Sequence, residues 1–520
     1  MSVTDPLPRF VDPKTGFLLD VRGMELPERD LRNLCGDGAA DAPLVKAHAE
    51  MGRIENGDIK NPDENRRVTH FSDRQSYCDT ALFRDVEEFA EKVRNGTLAI
   101  DGHRVTAIVV NGIGGSALGP QLLQLAINGP HWNELQRADA PRIYFLDNTD
   151  PAGIHDLKQV LDFAGALVVS ISKSGGTQET RNNMLALAAE FAARGLSFAN
   201  HAVAVTMEGS KLDHQARDEG WLKIFPMAES IGGRTSETNI VGHVPAALTG
   251  IDFRRFVKGA RHMDELTRAP TVDANPAYQL AAAWHIAGNG RGDRNMVVVP
   301  YADRLALLGK YLQQLVMESL GKERDLDGNI VHQGLTVYGN KGGTDAHAYI
   351  QQLNDGRDDF FAVFIEPLTD AENLIVDDNR TMGDALHAFK SGLVRALRGK
   401  QRKVIDITID NVDEFNLGML IALFERAVAT YAELIHINAF HQPGVQAYKE
   451  ASKEVDTLFI RLADWLSAQK DWQGTAAEAA EALGAPEQTE EIETILRRLV
   501  LNNRGVAAEW CDKGWLFRSA

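Results

Sequence analysis

Hydroxyl, glycine and lysine side chains are concentrated in one short segment, SISKSGGTQET, at residues 170–180. The surrounding pattern predicts a buried strand over 166–171, a helix over 178–193 and a turn between them. Such a turn presents free backbone N–H groups and the positive end of a helix dipole, so it suits an anion with several acceptor oxygens. A phosphate ester fits that description. The residues predicted to hold it are Ser172, Lys173, Ser174 and Thr177.

A second glycine-rich segment, NGIGGSALG at residues 111–119, follows the apolar run TAIVV. Its G-x-G-x-x-A spacing is typical of a dinucleotide site, but the acidic residue expected about 20 positions later is missing. What remains is a glycine turn in which Gly115 and Ser116 are predicted to contact the same anion. Both turns follow strands, so in one parallel sheet they converge on the crevice where ligands bind.

Charge limits the classes of ligand that the chain can attract. Its 520 residues include 55 basic and 73 acidic side chains, which give a formal net charge of −18. This charge repels nucleic acids and acidic membrane surfaces, so we expect neither as a partner. An anionic substrate must therefore be attracted by positive groups placed locally.

The cysteines and the N-terminus indicate a reducing compartment. Cys35, Cys78 and Cys511 are far apart and odd in number, which argues against structural disulfides and a zinc site. The first ten residues, MSVTDPLPRF, lack the pattern of a secretory signal, and nowhere do 18 apolar residues run together. The expectation is a cytoplasmic protein without a bound metal.

The elements that must position these turns form two α/β units. Short apolar runs alternate with helical lengths, which predicts parallel sheets with helices on both faces. Residues 1–100 favour helix, the first unit is predicted over 101–290, and the second over 291–460. A helix over 413–436 leads toward the end of the second unit. The predicted strands cover residues 106–110, 142–146, 166–171, 201–206, 295–300, 359–366 and 403–409.

The last segment, 461–520, has a different outline. TAAE at 475–478 fits a capping box, and two helices and a short strand-like end follow it. This outline resembles a small winged helix, a fold common in DNA-binding proteins. The segment carries seven basic and ten acidic residues, so a packing or oligomerisation element is favoured over a DNA-binding one.

Six segments in series resemble the glucose-6-phosphate isomerase family in its bacterial form. They are NGIGGSALGP, SISKSGGTQET, GGRTSE, MESLGKE, GGTDAHAYIQQLNDG and FHQPGVQAYKE, within residues 100–455. The resemblance implies an α/β fold with two doubly wound parallel-sheet domains of the sugar isomerase (SIS) type. It also implies a cofactor-free, cytoplasmic enzyme of glycolysis and gluconeogenesis that interconverts glucose 6-phosphate and fructose 6-phosphate through an enediolate.

That reaction needs a base, a cation near the developing oxyanion, an acid for ring opening and a phosphate anchor. Gln314 and Glu318 are four residues apart on a predicted helix, so both can face one cleft. The resemblance implies that Glu318 is the catalytic base and that Gln314 contacts the substrate. Arg234 follows two glycines, which let a guanidinium approach a ligand closely, and by resemblance it faces the enediolate oxygens.

The remaining roles come from the resemblance. His347 is implied to open the sugar ring in the active site of a partner subunit, which makes the protein a homodimer with shared sites. Pro443 suits a first helical turn. On that helix, Gln442 is implied to contact the substrate and Lys449 to assist at the ring oxygen. His441 departs from the Asp common at that position.

Three alternatives stay open at this point. A sugar-phosphate sensor built on SIS domains would keep the phosphate turns but need no base. A nicotinamide-dependent dehydrogenase would account for Gly112 to Ala117 alone. Within the isomerases, activity on mannose 6-phosphate and some C2 epimerisation remain compatible with the sequence.

Overall fold

The N-terminal segment combines short helices with very short strands. The structure, a computed structural model, describes residues 7, 9–36, 39, 41–61, 64–135, 137, 139–469, 471–512 and 514–519. The elements of this segment are β1 (Phe10–Val11), β2 (Leu18–Asp20), α1 (Glu28–Cys35), α2 (Pro43–Glu55), β3 (Ile59–Asn61), β4 (Arg66–Arg67), α3 (His70–Asp73), α4 (Ala81–Arg94), β5 (Ala99–Ile100) and β6 (His103–Arg104). The Thr80 hydroxyl caps α4 by accepting a hydrogen bond from the Phe83 N–H, and Asn95 follows its last residue.

The first α/β unit is a parallel five-stranded sheet. Its elements are β7 (Ala107–Asn111), α5 (Leu118–Asn128), β8 (Arg142–Leu146), α6 (Pro151–Val160), β9 (Ala166–Ile171), α7 (Gln178–Ala192), β10 (Ala202–Thr206), α8 (Lys211–Asp218) and β11 (Lys223–Pro226). The strand order is β11-β10-β9-β7-β8. Every residue of β7, β9 and β10 is buried, which is why these strands are continuous apolar runs.

Three helices connect the two units, and a second, mixed sheet follows. The connecting helices are α9 (Ile240–Thr249), α10 (Phe253–Leu266) and α11 (Pro276–Ala287). The second unit comprises β12 (Asn295–Pro300), α12 (Leu308–Leu320), β13 (Lys322–Arg324), β14 (Ile330–Gln333), β15 (Val337–Tyr338), α13 (Ile350–Asp355), β16 (Phe360–Pro367), β17 (Ile375–Asp377), β18 (Arg380–Thr381), α14 (Met382–Gly399), β19 (Lys403–Ile409) and α15 (Glu414–Leu434).

The N-terminal hairpin completes the second sheet. The strand order is β1-β2-β19-β16-β12-β15, in which β19, β16, β12 and β15 are parallel. The β1–β2 hairpin adds to β19 in antiparallel orientation, a pairing that the sequence pattern did not predict. The second unit therefore depends on residues that precede the first one in the chain.

The centre of the molecule combines a buried helix with a buried ion network. Residues 416–432 of α15 are all buried. The Arg74 guanidinium donates to Asp264 on α10 at 2.9 and 3.0 Å and to Glu425 on α15 at 2.5 Å. Separating one partner from this network would leave an uncompensated buried charge, which is strongly destabilising. The network therefore holds the N-terminal segment against both helices.

Residues 442–520 form a second compact unit, separate from residues 1–441. Its elements are α16 (Pro443–Ala468), β20 (Gln473–Gly474), α17 (Ala476–Ala482), α18 (Thr489–Leu501), β21 (Val506–Cys511) and β22 (Gly514–Ser519). Thr475 and Glu478 form the predicted capping box. Leu458, Leu462 and Leu466 of α16 belong to the same buried cluster as α17, α18 and Phe517.

The structure confirms the expected mixed α/β fold with parallel sheets. The domain limits remain predictions, and α16 passes without a break through residue 460, where the second domain was expected to end. No helix in the described part of the chain is both long enough and apolar enough to cross a membrane.

Candidate active site

The two predicted anion-binding turns lie side by side. β7 and β9 are neighbouring parallel strands, with Asn111 opposite Ser170, so the turns that follow them leave the same edge of the sheet. The Asn111 amide at the end of β7 donates to the Ser170 hydroxyl on β9 at 3.3 Å and to the Thr180 carbonyl on α7 at 2.8 Å. The predicted convergence of the two turns is therefore confirmed.

The turn over residues 172–177 presents hydroxyls at the start of a long helix. Gly175 has a φ of +66°, and a Cβ there would lie 2.2 Å from the Leu212 backbone nitrogen, so no larger residue fits. Thr177 precedes α7 without a side-chain cap, and its hydroxyl accepts from Ser172 at 3.2 Å. The first N–H groups of α7 are thus left for a ligand, as an anion site requires.

Lys173 connects this turn to a neighbouring loop. Its ammonium group donates to the carbonyl oxygens of Glu229 at 2.5 Å and Ile231 at 3.0 Å. Burial and the nearby Arg66 lower the pKa of Lys173 to about 8. In this structure Lys173 positions the loop that leads to Arg234, and its contact with phosphate stays a prediction.

The glycine turn touches both the arginine loop and α12. A Cβ on Gly115 would lie 2.0 Å from the Gly233 carbonyl oxygen. The two backbones are therefore so close that only glycine fits at position 115. A Cβ on Gly114 would lie 3.1 Å from the Gln314 amide nitrogen. Ser116 ends the short 3₁₀ turn that precedes α5. Three of the predicted segments therefore meet at one place.

Arg234 is the buried cation at this place, with 6% of its surface exposed. Its Nε donates to the Ser319 hydroxyl at 2.7 Å, and its Nη2 donates to the carbonyl oxygens of Ala439 and His441. Its Nη1 lies 3.8 Å from the Glu318 carboxylate. Burial lowers the pKa of Arg234, while the Glu318 carboxylate acts in the opposite direction. These contacts fix the guanidinium plane beside the predicted base.

Gln314 and Glu318 share one face of α12, as their spacing predicted. The Gln314 amide donates to the Glu318 carboxylate at 3.2 Å. The Glu318 side chain keeps 20% of its surface exposed, so it remains reachable by a ligand. An oriented carboxylate next to a fixed guanidinium is the arrangement that proton abstraction beside a carbonyl requires.

The sequence analysis missed Ser319 and Lys322. The Lys322 ammonium bends back to the end of α12 and donates to the carbonyl oxygens of Glu318 at 2.8 Å and Ser319 at 2.7 Å. Burial and the Arg234 charge lower the pKa of Lys322 to about 7, although Glu318 opposes this shift. A lysine just after a helix was the available signal, because such lysines bind the last carbonyl groups.

Arg66 is a further cation that the sequence analysis did not single out. Its guanidinium donates to the carbonyl oxygens of Phe440 at 2.9 Å and Ser230 at 3.4 Å. Near it, burial lowers the pKa of His70 well below its usual range, and the cations Arg74, Arg426, Arg234 and Arg66 add to this effect. Arg66 also forms an ion pair with Glu64 at 2.7 Å, so a carboxylate offsets its charge.

His347 lies elsewhere on the surface. It is exposed, at the end of a 3₁₀ turn, and lines a cavity of about 450 Å³ together with Tyr301 and Phe389. Within the described part of the chain, no hydrogen bond or ion pair joins His347 to Glu318 or Arg234. The role of the predicted ring-opening histidine stays a prediction.

Gln442 and Lys449 belong to the second compact unit. Gln442 precedes the first residue of α16, and Pro443 occupies the first helical turn, as predicted. Lys449 lies on the exposed side of that helix. Their contribution to the site stays a prediction. Over the residues that the structure describes, no group of three or more His, Cys, Asp or Glu side chains is arranged to hold a metal ion.

Comparison with known proteins gives one consistent result. Residues 42–402 match the phosphoglucose isomerase family. A glucose-6-phosphate isomerase of Nostoc punctiforme is 46% identical over 510 residues, which cover 95% of this chain and 94% of the relative. A glucose-6-phosphate isomerase of Geobacter sp. is 45% identical and covers 97% of this chain and 96% of the relative. The crystal structure of a glucose-6-phosphate isomerase from Chlamydia trachomatis matches with a TM-score of 0.76 at 26% identity, over 85% of this chain and 89% of that chain.

Proposed function

The chain belongs to the phosphoglucose isomerase family, and from this premise we propose how its site isomerises a sugar phosphate. The reaction is the reversible interconversion of glucose 6-phosphate and fructose 6-phosphate, a step of glycolysis and gluconeogenesis. The observation that carries the mechanism is the buried Arg234 guanidinium held 3.8 Å from the Glu318 carboxylate.

Proton transfer is assigned to Glu318. In the open-chain sugar, its carboxylate removes the proton from C2, and the C–H electron pair forms the C1=C2 double bond of an enediolate. The negative charge develops on O1, where Arg234 stabilises it through a fixed and desolvated charge. A proton then passes from O2 to O1, which moves the negative charge to O2. Glu318 returns its proton to C1 as the O2 electron pair forms the C2 carbonyl of the ketose. Since Gln314 binds the same carboxylate at 3.2 Å, it orients the base toward both carbons.

Phosphate binding is assigned to the two adjacent turns. Gly115 and Ser116 form one wall of this site. Ser172, Ser174 and Thr177 form the other, at the uncapped start of α7. Lys173 contributes positive charge behind the turn. Backbone N–H groups and hydroxyls can together satisfy the three phosphate oxygens that are free to accept hydrogen bonds.

Ring opening is assigned to His347 of a partner subunit and to Lys449. The exposed position of His347 supports this, because a ring-opening residue that does not meet the base within its own chain can meet it in a dimer. Exposed apolar side chains between β16 and the middle of α14 also support a partner surface near His347. They are Leu368, Leu374, Ile375, Val376, Met382 and Phe389.

Three finer assignments complete the proposal. The two sheets are SIS-type domains, since their 2-1-3-4 strand orders, read from β7 and from β12, are the same. The end of the chain is a winged-helix-like extension, since two helices precede an antiparallel hairpin there. The protein works in the cytoplasm as a homodimer, without a cofactor.

The test is conversion of fructose 6-phosphate by the purified protein, coupled to glucose-6-phosphate dehydrogenase in the presence of EDTA. We expect steady NADPH formation that depends on this protein. Absence of product from folded protein that still binds fructose 6-phosphate would favour a sugar-phosphate sensor instead. A parallel reaction started with mannose 6-phosphate measures how strictly C2 configuration is selected.

A further inference from the structure

The loop over residues 229–231 is held by cations at three consecutive backbone carbonyl groups. The Lys173 ammonium group donates to the first and third of these carbonyl oxygens, at 2.5 and 3.0 Å. The Arg66 Nη1 donates to the second, that of Ser230, at 3.4 Å. The loop continues through two glycines to Arg234, so its position determines where the Arg234 backbone lies.

The segment over residues 439–441 is held in the same way. The Arg234 Nη2 donates to the first and third carbonyl oxygens of this segment. The Arg66 Nη2 donates to the second, that of Phe440, at 2.9 Å. The Asn61 amide donates to the same oxygen at 3.3 Å. Arg66 therefore joins this segment to the loop that leads to Arg234, although the two lie far apart in the sequence.

The three side-chain nitrogens of Arg66 point to three different acceptors. Its Nε donates to the Glu64 carboxylate at 2.7 Å, and its two Nη groups donate to the two carbonyl groups. Arg66 is buried, and within the described part of the chain no hydrogen bond or ion pair joins it to Gln314 or Glu318. A planar guanidinium holds two acceptors at a fixed separation, whereas the ammonium group of a lysine binds as a point charge.

The three cations at these carbonyl groups also affect one another. Burial lowers the pKa of Lys173 and that of Arg234, and the Arg66 charge adds to the effect in both cases. Like charges that approach one another in a buried place are unfavourable unless fixed acceptors surround them. The carbonyl groups of the loop and of the segment are such acceptors, so the backbone and the cations hold each other in place.

We propose that Arg66 is a positioning residue for the isomerase reaction. It holds the loop and the segment that surround the Arg234 guanidinium, and through them it sets the distance of 3.8 Å from that guanidinium to the Glu318 carboxylate. Arg66 acts through Arg234 and does not touch the substrate. The inference rests on the proposed function, since it concerns the same proton-transfer site.

Steady-state kinetics of Arg66→Ala in the coupled assay is the first test. We expect kcat to fall about tenfold or more, because Arg234 leaves the position in which it stabilises the developing charge. KM should change by less than about threefold, because the phosphate turns keep all of their residues. Arg67→Ala removes an exposed arginine at the next position and should leave kcat and KM within about twofold of the wild type.

Added guanidinium ion distinguishes positioning from general stabilisation. Guanidinium chloride, at concentrations at which circular dichroism shows the variant to be folded, should raise kcat of Arg66→Ala about threefold or more, because the free ion can bind the same carbonyl groups. The same concentration of sodium chloride should have no such effect. Arg66→Lys keeps the charge without the paired donors, so its kcat should stay about tenfold or more below that of the wild type.

A double variant shows whether the effect passes through Arg234. If Arg66 acts by placing Arg234, Arg66→Ala should lower kcat by a much smaller factor when Arg234→Ala is already present than when it is introduced alone. Equal factors in the two backgrounds would mean that the two residues act independently, and they would overturn the inference.

Three further results would overturn the role of Arg66. They are a kcat of Arg66→Ala within about twofold of the wild type, no response of folded Arg66→Ala to guanidinium, and a wild-type kcat in Arg66→Lys. The lysine variant keeps the charge and most of the volume, so it tests the role even where Arg66→Ala does not fold. An inactive wild-type protein, or a normal kcat in Arg234→Ala, would instead refute the proposed function. A normal Arg66→Ala beside an impaired Arg234→Ala would refute this inference alone.

Discussion

At the scale of single residues, the proposed chemistry depends on one carboxylate. Glu318 has a guanidinium 3.8 Å away, an amide donor at 3.2 Å and an exposed fraction of 20%. Replacing it by Gln keeps the shape and removes the base. We expect Glu318→Gln to lower kcat by about 100-fold or more with little change in KM, because general-base catalysis typically contributes 10²–10⁴.

Steady-state kinetics in the coupled assay checks this prediction. Glu323→Gln provides the control, since Glu323 lies five residues away with 61% of its side chain exposed. That variant should behave as the wild type does. Turnover of Glu318→Gln close to normal would remove Glu318 from the mechanism.

Lys322 gives the molecule a pH dependence of known direction. Burial lowers its pKa to about 7, whereas an unfolded lysine keeps its proton to about pH 10.4. Between these values the unfolded chain binds one more proton than the folded chain, so raising the pH stabilises the fold. Relative to Lys322→Met, the wild type should gain on the order of 2 kcal/mol of unfolding free energy between pH 7 and pH 9.

Urea unfolding at several pH values measures this difference. Lys310→Met, an exposed position on the same helix, should give a difference from the wild type that does not vary with pH. If Lys322→Met also gives a difference that is constant from pH 7 to pH 9, the ammonium group is not desolvated in the folded protein.

At the scale of elements, the site depends on how closely two loops approach each other. Gly115→Ala would place a Cβ 2.0 Å from the Gly233 carbonyl oxygen, so one loop must move. Because Arg234 directly follows Gly233, the guanidinium moves with it. We expect kcat/KM to fall by about 100-fold, because a small displacement of a reacting group can reduce the rate by that factor. Gly52→Ala, which meets nothing within 4 Å, is the control and should leave kcat/KM unchanged in the same assay.

Elements with a strong local signal were predictable from the sequence. The strands over 142–146, 166–171, 295–300 and 403–409 have the predicted limits, because each is an apolar run buried in a sheet. The short strands β2, β11 and β15 have no such signal. β11 and β15 lie at sheet edges, and β2 depends on pairing with the distant β19. The β1–β2 hairpin in particular is determined by its contact with β19, which no local pattern encodes.

In the candidate site too, features with a local sequence signal were predictable and long-range contacts were not. Gln314 and Glu318 were predictable because helical spacing alone places them on one face. The contact of Ser319 with Arg234 was not, because it joins positions that are 85 residues apart. The role of Arg66 depends likewise on carbonyl groups 164 and 374 residues away, so only the folded chain shows it.

At the scale of the whole molecule, the proposed homodimer with shared sites predicts how variants of Glu318 and His347 combine. If each site combines Glu318 of one subunit with His347 of the other, the two variants Glu318→Gln and His347→Ala should complement each other. A hybrid dimer with one variant in each subunit then has one site with both residues intact and one with both replaced. Such a dimer, purified by two different tags, should have about half of the wild-type activity.

A second hybrid, with both substitutions in one subunit, distinguishes shared sites from sites confined to single subunits. When both substitutions lie in one subunit and the partner is wild type, a shared site predicts that each site lacks one residue, so activity should be largely lost. Sites confined to single subunits predict the opposite in both experiments: no recovery in the first hybrid and about half activity in the second. The exposed His347 beside Phe389 favours the shared site. With shared sites the first hybrid is more active than the second, and with sites confined to single subunits the second is more active than the first.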